Sequence, residues 1–507
     1  MKIRFIALAA NILLTASSYA GTPPKSKLYI ANYENVLGTS FEIKIKAQTD
    51  AGAQKAEAAA LVEIDRLNKI LSGYDADSEF SNWMRAPQKP VKVSVELYDV
   101  LALFDRWREK TGGALDASAE TINKLWQDAA AKNTLPTASQ IASALAQVHQ
   151  QHYLLDANAH TALRTSNAAL ILNSFAKSYI MNKAALAAMA VTGVNGLVMN
   201  IGGDILVRGN HTEQVNVSNP KADYENAAPI AKLNVSGLTI ATSGNYRRGE
   251  QIGGVWYSHI VDPRTGQPAG GVISATVAAP NATDAGALAT ALNVLSVIDG
   301  KKLVASIPGA EFMLITADGK RVTSAGWDKL ERPEEKTDVV TPCSTIWQQS
   351  WDANYELAIN FELATQPGIR ANRPYIAVWV VDADKKPVRQ IALWMRADKD
   401  KYTWDLRSWY AVYYKDMIAD KPSVSSTTSA TRSAGKYTLK WDGKDDKGNL
   451  VKQGTYTLYI EAAREHGTHQ LMKQDITVSK PQPQHFDLGG NVEVSSASID
   501  LRKKADD

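Results

Sequence analysis

Cysteine is almost missing: Cys343 stands alone in 507 residues, so no disulfide can close within the chain and its stability has to come from packed cores. An excess of one charge is missing too. The 56 Lys and Arg against 53 Asp and Glu leave a formal net charge of +3, or +1 when Lys2 and Arg4 are set aside (3 − 2), which is no electrostatic footprint for nucleic acid. Long apolar runs are scarce. The run Phe5 to Leu14 is too short to span a bilayer, and no later stretch approaches the roughly 20 residues a membrane helix needs, which predicts no stable membrane insertion.

What is present begins with that same run. Lys2 and Arg4 precede it and Ser18-Tyr19-Ala20 follows, a pattern that predicts a secretory signal peptide cleaved after Ala20 and a periplasmic mature protein. No cysteine follows the cleavage point, so lipid anchoring there is not expected. The length predicts at least two domains. Leu61, Ile64, Leu67 and Leu71 recur at helical spacing, as do Ile141, Leu145 and Val148 after Pro136-Thr137. Alternating, β-branched runs such as FEIKIKA, LVMNIGGDILVRG, LTIATSG and VISATVAAP lie between and after them. Residues 21–330 are therefore expected to form an α+β domain.

Residues 331–350, containing ERPEEKTDVVTPCST, are polar and Pro-containing and read as a linker. Short strand-like runs (YELAINFEL, YIAVWVVDA, YTLKW, TYTLYIEAA) fill 351–480 without a long helical period, which predicts an all-β sandwich. Residues 481–507 are expected to be a flexible tail.

Four motifs in the first domain carry the candidate chemistry. NIGGD places Gly202 and Gly203 at a strand end, where glycine lets backbone approach a ligand, with Asp204 next. ATSGNY offers the hydroxyls and backbone N–H groups of Thr242, Ser243 and Gly244, of the kind that hold phosphate or a ring edge. HIVDPRTG holds His259, whose imidazole accepts a proton near neutral pH, beside a turn ordered by Asp262 and Thr265 with Arg264 able to reach a phosphate. DAGALATAL runs from Asp284 to Leu292.

In this order, the four motifs resemble the ApbE family, flavin transferases that move FMN from FAD onto a protein Thr or Ser. HIVDPRTG matches the family's HxxDPxTG in full. The resemblance spans about residues 30 to 330 and includes NVLGTSFEI, ILSGYDADSEFSNW, GGALDASAETINKLW and FAKSYIMN. It implies an α+β ApbE-type flavin transferase domain, FAD as substrate, release of AMP, and an exported acceptor protein as partner. It also implies that Tyr74 lies against a flavin or adenine ring, that Lys177 and the Gly202-Gly203 turn stand near the pyrophosphate, and that His259 is the base or a pyrophosphate contact. Asp116 and Trp126 are read as structural.

The implied metal is Mg²⁺, with Asp284 and Thr290 as candidate ligands. Here the sequence departs from the family pattern. The metal-binding Asp should stand four residues before Thr290, and that position is Gly286. Asp284 is two residues further back, a displacement of about 200° around a helix of 3.6 residues per turn. The approach to the Ala-Lys helix reads Ile171-Leu172-Asn173-Ser174, the family's helix glycine is Ser178, its later Asp is Asn182, and Met84 replaces an Asn. The alternative reading is a catalytically reduced flavin-binding module that docks a periplasmic electron-transfer partner.

WDGKDDKGNLVKQGTYTL resembles flagellar hook-cap immunoglobulin-like modules, and the second half resembles an exported domain of unassigned function fused to ApbE-type domains. Three further patterns read as structural. His149, His152 and His160 lack a convergent Cys or carboxylate for zinc. Asp442, Asp445 and Asp446 read as a hairpin turn rather than a calcium loop. Thr431 in TTSATRSAG reads as part of a solvated loop.

Overall fold

The structure is a computed structural model that describes residues 26–332 and 350–504, except 87, 247, 366–372, 396–404, 420–427, 430, 431, 433, 465–467 and 479–481. The signal segment with its expected cleavage after Ala20, most of the expected linker with Cys343, and Thr431 lie outside the described residues.

The run FEIKIKA alternates as a half-buried strand must: Phe41, Ile43, Ile45 and Ala47 are buried, with Glu42, Lys44 and Lys46 between them. Its strand, Thr39–Ala47, sits second in an eight-stranded sheet. The order is Lys27–Val36, Thr39–Ala47, Val194–Ile201, Asp204–Gly209, Thr239–Gly244, Val272–Ala279, Glu311–Thr316 and Arg321–Thr323. Every neighbouring pair is antiparallel.

One face is covered by the helices Asp50–Leu71, Ala176–Met189 and Ala282–Val294, which share the main core with it. Ala56, Ala60, Ile64, Leu67 and Leu71 form the buried stripe of the first of these, and Thr49 caps its start by accepting from Gly52 N. The helix expected after Pro136-Thr137 spans Ala138–Val148 and opens on a capping box between Thr137 and Gln140. The opposite face of the sheet is covered by a hairpin of Glu213–Val217 with Ala231–Val235. Val215, Leu233 and Val235 close a smaller core there against Val198, Val207 and Ile240.

The second unit is a sandwich. A four-stranded sheet (Gly435–Trp441, Tyr355–Leu363, Val494–Lys503, Gln484–Gly489) faces a five-stranded one (Thr428–Ser429, Pro387–Trp394, Tyr375–Val381, Gly454–Ala463, His469–Val478) across a core that includes Ile359, Val378, Ile460 and Ile499. Two expectations are corrected. The tail is not loose: Val494–Lys503 pairs along the whole of Tyr355–Leu363, and Ala497, Ile499 and Leu501 alternate into the core. The sandwich also carries a helix, Arg407–Ala419, which covers an outer face. Leu406, Trp409 and Tyr413, at helical spacing, bury against Tyr375, Ala377 and Trp379. Its first amides are held by the fully buried Glu461 carboxylate, which accepts from Ser408 N and Trp409 N at 2.8 Å each.

The two units meet at residues 223–226 of the first. Gly435–Trp441 is an edge strand, and its outward backbone groups are taken up there. Glu225 N donates to Thr438 O (2.7 Å), while the Asn226 amide donates to Lys440 O (2.8 Å) and accepts from Lys440 N (2.9 Å). Lys440 adds a 3.1 Å ion pair to Asp223 and lies over the Tyr224 ring.

Candidate functional site

A cleft of about 730 Å³ opens at the end of the sheet where Val194–Ile201 and Thr239–Gly244 finish. It is lined by ten of the thirteen expected site residues: Tyr74, Lys177, Gly202, Gly203, Asp204, Thr242, Ser243, Gly244, His259 and Thr290.

The strand pair Ile201↔Asp204 leaves Gly202 and Gly203 as a two-residue turn with φ of +57° and +93°, a backbone only glycine adopts without strain. A Cβ at Gly202 would also stand 2.8 Å from the Thr39 side chain. Gly203 N donates to Asn200 Oδ1 at 3.1 Å, which fixes the turn. Asp204, at its exit, is buried and pairs with Lys177 Nζ at 2.9 Å. Lys177 stands in the first turn of helix Ala176–Met189, so one wall combines a cation, a helix start and glycine backbone.

The opposite wall is the end of Thr239–Gly244. Thr242 Oγ1 meets Thr276 Oγ1 across the sheet at 3.0 Å, and Ser243 O accepts from Asn293 Nδ2 at 3.1 Å. Asn293 was not singled out in the sequence, although it sits one turn beyond Thr290 on the same helix. Tyr74 is 82% exposed, which leaves its ring available to a flat ligand, and its hydroxyl accepts from Asn173 Nδ2 at 2.6 Å. Asn173 therefore has a role that its departure from the family pattern did not suggest. Val215, Asn216, Val217 and Ser218 complete a wall that carries no chemical signature in the sequence.

His259 keeps an exposed side toward the cleft. Its Nδ1 lies 2.9 Å from Arg248 O, so Nδ1 carries the proton and Nε2 is the ring's acceptor. Partial withdrawal from water pushes its pKa below the ordinary 6.5, and the nearby Arg248 charge lowers it further, while the hydrogen bond to the Arg248 carbonyl works in the other direction. The imidazole is thus neutral at pH 7. Arg248 is a second residue the sequence reading missed; it lines the cleft and holds the histidine through its carbonyl.

Three expected residues are not brought to the cleft. Asp262 orders the turn as expected, accepting from Arg264 N at 2.9 Å, while its backbone oxygen accepts from Thr265 N and Gly266 N. Arg264 is turned away, its guanidinium forked onto Asp262 (2.8 Å from Nε and from Nη2) beside a separate groove lined by Arg108, Gly113 and His149. Trp126 is buried as expected, and its indole N–H holds the end of the turn through Gly266 O at 2.9 Å. Asp284 sits in the first turn of Ala282–Val294. Burial raises its pKa and Lys110 and Arg106 draw it back, and it does not line the cleft.

The residues do not fit the implied Mg²⁺. Thr290 Oγ1 lies 3.2 Å from Gly286 O and 3.4 Å from Ser174 O, so neutral oxygens gather. Mg²⁺ gives up water reluctantly and is held by carboxylates with substrate phosphates. Gly286 supplies no carboxylate, Asp284 is elsewhere and Asp204 is engaged by Lys177. No group of three or more His, Cys, Asp or Glu is arranged to hold a metal among the described residues.

The sequence and the fold are similar to those of known proteins. Residues 37–314 match the ApbE family, and residues 356–496 match a family described as "Predicted periplasmic protein (DUF2271)". The FAD:protein FMN transferase of Klebsiella pneumoniae is 29% identical over 321 residues, 61% of this chain and 91% of the relative. That of Treponema pallidum is 29% identical over 317 residues, covering 58% and 86%. The ApbE protein of Thermotoga maritima superposes with a TM-score of 0.54 at 27% identity, covering 61% of this chain and all of its own. The flavin transferase ApbE of Vibrio cholerae has the same fold, with a TM-score of 0.52 at 23% identity over 60% of this chain and all of its own. No helix among the described residues is long and apolar enough to cross a membrane.

Proposed function

Because the chain belongs to the ApbE family, matched over residues 37–314, we propose that it is an FAD:protein FMN transferase acting on a Thr or Ser hydroxyl of an exported acceptor protein. The observation that carries this reading is the convergence of ten separately numbered site residues on one cleft with a neutral, oriented imidazole in its wall. The same histidine, turn and strand end would serve a module that only binds flavin, and the experiment below separates the two.

In the proposed reaction the acceptor oxygen bonds to the FMN phosphorus of FAD, the bond from that phosphorus to the bridging oxygen breaks, and AMP leaves with the bridge. The hydroxyl proton passes to His259 Nε2, which the Nδ1 bond to Arg248 O keeps free to accept it. Lys177, paired with Asp204 at 2.9 Å, keeps ammonium N–H groups to donate to a phosphate oxygen, and the Gly202-Gly203 backbone allows the chain to approach. Tyr74 offers a face to a ring. Asp262 orders the loop that ends on the histidine. No step is assigned to Mg²⁺.

Export to the periplasm is part of the proposal. It is supported by the second family's description and by the signal-like N-terminus. The test mixes the mature chain with FAD and an acceptor domain that a known transferase labels, with and without Mg²⁺. Covalent FMN on the acceptor with stoichiometric AMP is expected. Tight FAD binding with no AMP would leave the chain a flavin-binding module.

A further inference from the structure

Two departures from the family pattern, Ser178 and Gly286, lie 108 positions apart and touch. Helix Ala176–Met189 packs on Ala282–Val294 so closely that a Cβ built on Gly286 would stand 2.5 Å from Ser178 Oγ and 3.2 Å from Ser178 Cβ. Both residues are buried, and both border the cleft beside Thr290. The serine therefore occupies the volume that any side chain at 286 would need. Phe175 Cβ, 3.5 Å from the same point, closes another side. Turning Ser178 about χ1 moves its Oγ, but its Cβ at 3.2 Å is carried by the helix backbone and yields only if the helices part.

We propose that Ser178 and Gly286 are a matched pair that closes the divalent-cation position of this cleft, and that Arg248, with the N–H groups Lys177 has left beside Asp204, holds the linked phosphates in its place. The pair explains the misfit found at the site. The position from which a side chain would join Thr290 Oγ1, Gly286 O and Ser174 O is held at glycine by its neighbour, so these oxygens stay without a carboxylate. Lys177 is adjacent to Ser178 on one wall, and Arg248 lines the other beside His259. The part concerning phosphates rests on the flavin-transfer reading; the part concerning the cation rests on the side chains alone.

The test uses Mn²⁺ as probe and electron paramagnetic resonance to count free ion against the full mature chain, alone and with FAD. The unaltered chain is expected to retain no Mn²⁺ in either case. FAD affinity, followed by flavin fluorescence, should change less than about two-fold when EDTA replaces Mg²⁺. Lys177→Gln should weaken FAD binding by about ten-fold, the order of a lost charge-assisted hydrogen bond. Ser178→Gly/Gly286→Asp together should gain Mn²⁺ binding by at least about ten-fold, the order of effect seen when one ligand-supporting group is changed. Gly286→Asp alone should gain none.

Stoichiometric Mn²⁺ retention by the unaltered chain would overturn the proposal and leave the transferase reading intact. A double variant that folds, by circular dichroism, yet gains nothing would overturn it too, as would Gly286→Asp alone matching the double variant. If FAD does not bind at all, the flavin reading fails, and the Mn²⁺ measurement on the chain alone still decides the pair.

Discussion

The cleft of the first domain and the sandwich treat their polar side chains in opposite ways. In the sandwich, buried carboxylates are saturated from within. Glu461 takes two helix amides and His469, Glu493 takes Arg464 and Thr468, and Glu356 takes Lys440 and Arg502. In the cleft, the comparable groups are held on one side and left open on the other. His259 is fixed through Nδ1, Tyr74 through its hydroxyl and Ser243 through its carbonyl, while ring nitrogen, ring face and hydroxyl stay toward the cavity. Closed networks hold a fold together, and half-closed ones are what a ligand completes. Substitutions in the two regions should therefore separate activity from stability.

The largest effect is expected at His259. His259→Ala should lower AMP release by at least about 100-fold, within the range for loss of a general base, with the melting temperature unchanged. A matching loss of melting temperature would break the contrast. The same residue sets the pH response. Its pKa is displaced downward from 6.5, so the neutral acceptor already predominates at that pH, and the acid limb of AMP release should have its midpoint below it. A rate already falling at pH 7.5 would assign the limb to another group.

Glu461→Ala is the mirror experiment. It strands two helix amides and His469, and should cost about 1–3 kcal/mol of stability, read by denaturant unfolding, with FAD affinity unaltered. Gly202→Ala falls between the two classes. Its positive φ and the Thr39 contact should cost about 1–2 kcal/mol and also weaken FAD binding, because the turn that bears the strain lines the cleft. Asn226→Ala, which removes two hydrogen bonds between the domains, is the smallest change. A loss of about 1 kcal/mol is expected, seen as the sandwich unfolding at lower denaturant than the first domain.

The site was legible where its residues carry both chemistry and punctuation. NIGGD announces a turn and HIVDPRTG an imidazole beside one, and the resemblance of their order to the ApbE family grouped them. Where a side chain finally points was not legible. Arg264 looked free for a phosphate, yet Asp262 two residues earlier takes its guanidinium, a local pairing that outcompetes a distant ligand. Asp284 looked like a displaced metal ligand, and the helix turns it toward Arg106 and Lys110 instead. The wall Val215–Ser218 was invisible because it contributes shape and no reactive group. In the second domain, the alternation of Ala497, Ile499 and Leu501 was present in the sequence but masked by the polar residues around it. The spacing of Leu406, Trp409 and Tyr413 was hidden among strand-forming aromatics.

The seam at residues 223–226 has a practical bearing on any attempt to study the halves separately. Those residues belong to the connection whose earlier end, Val217 and Ser218, borders the cleft, and whose later part docks on the sandwich rim. Cutting the chain after the first domain would uncover the amide and carbonyl groups of Thr438 and Lys440 on one fragment. On the other it would leave the cavity's border without its anchor. A kinetic deficit in such a truncated enzyme would then report a lost brace, and the sandwich need never meet the acceptor for its removal to be felt.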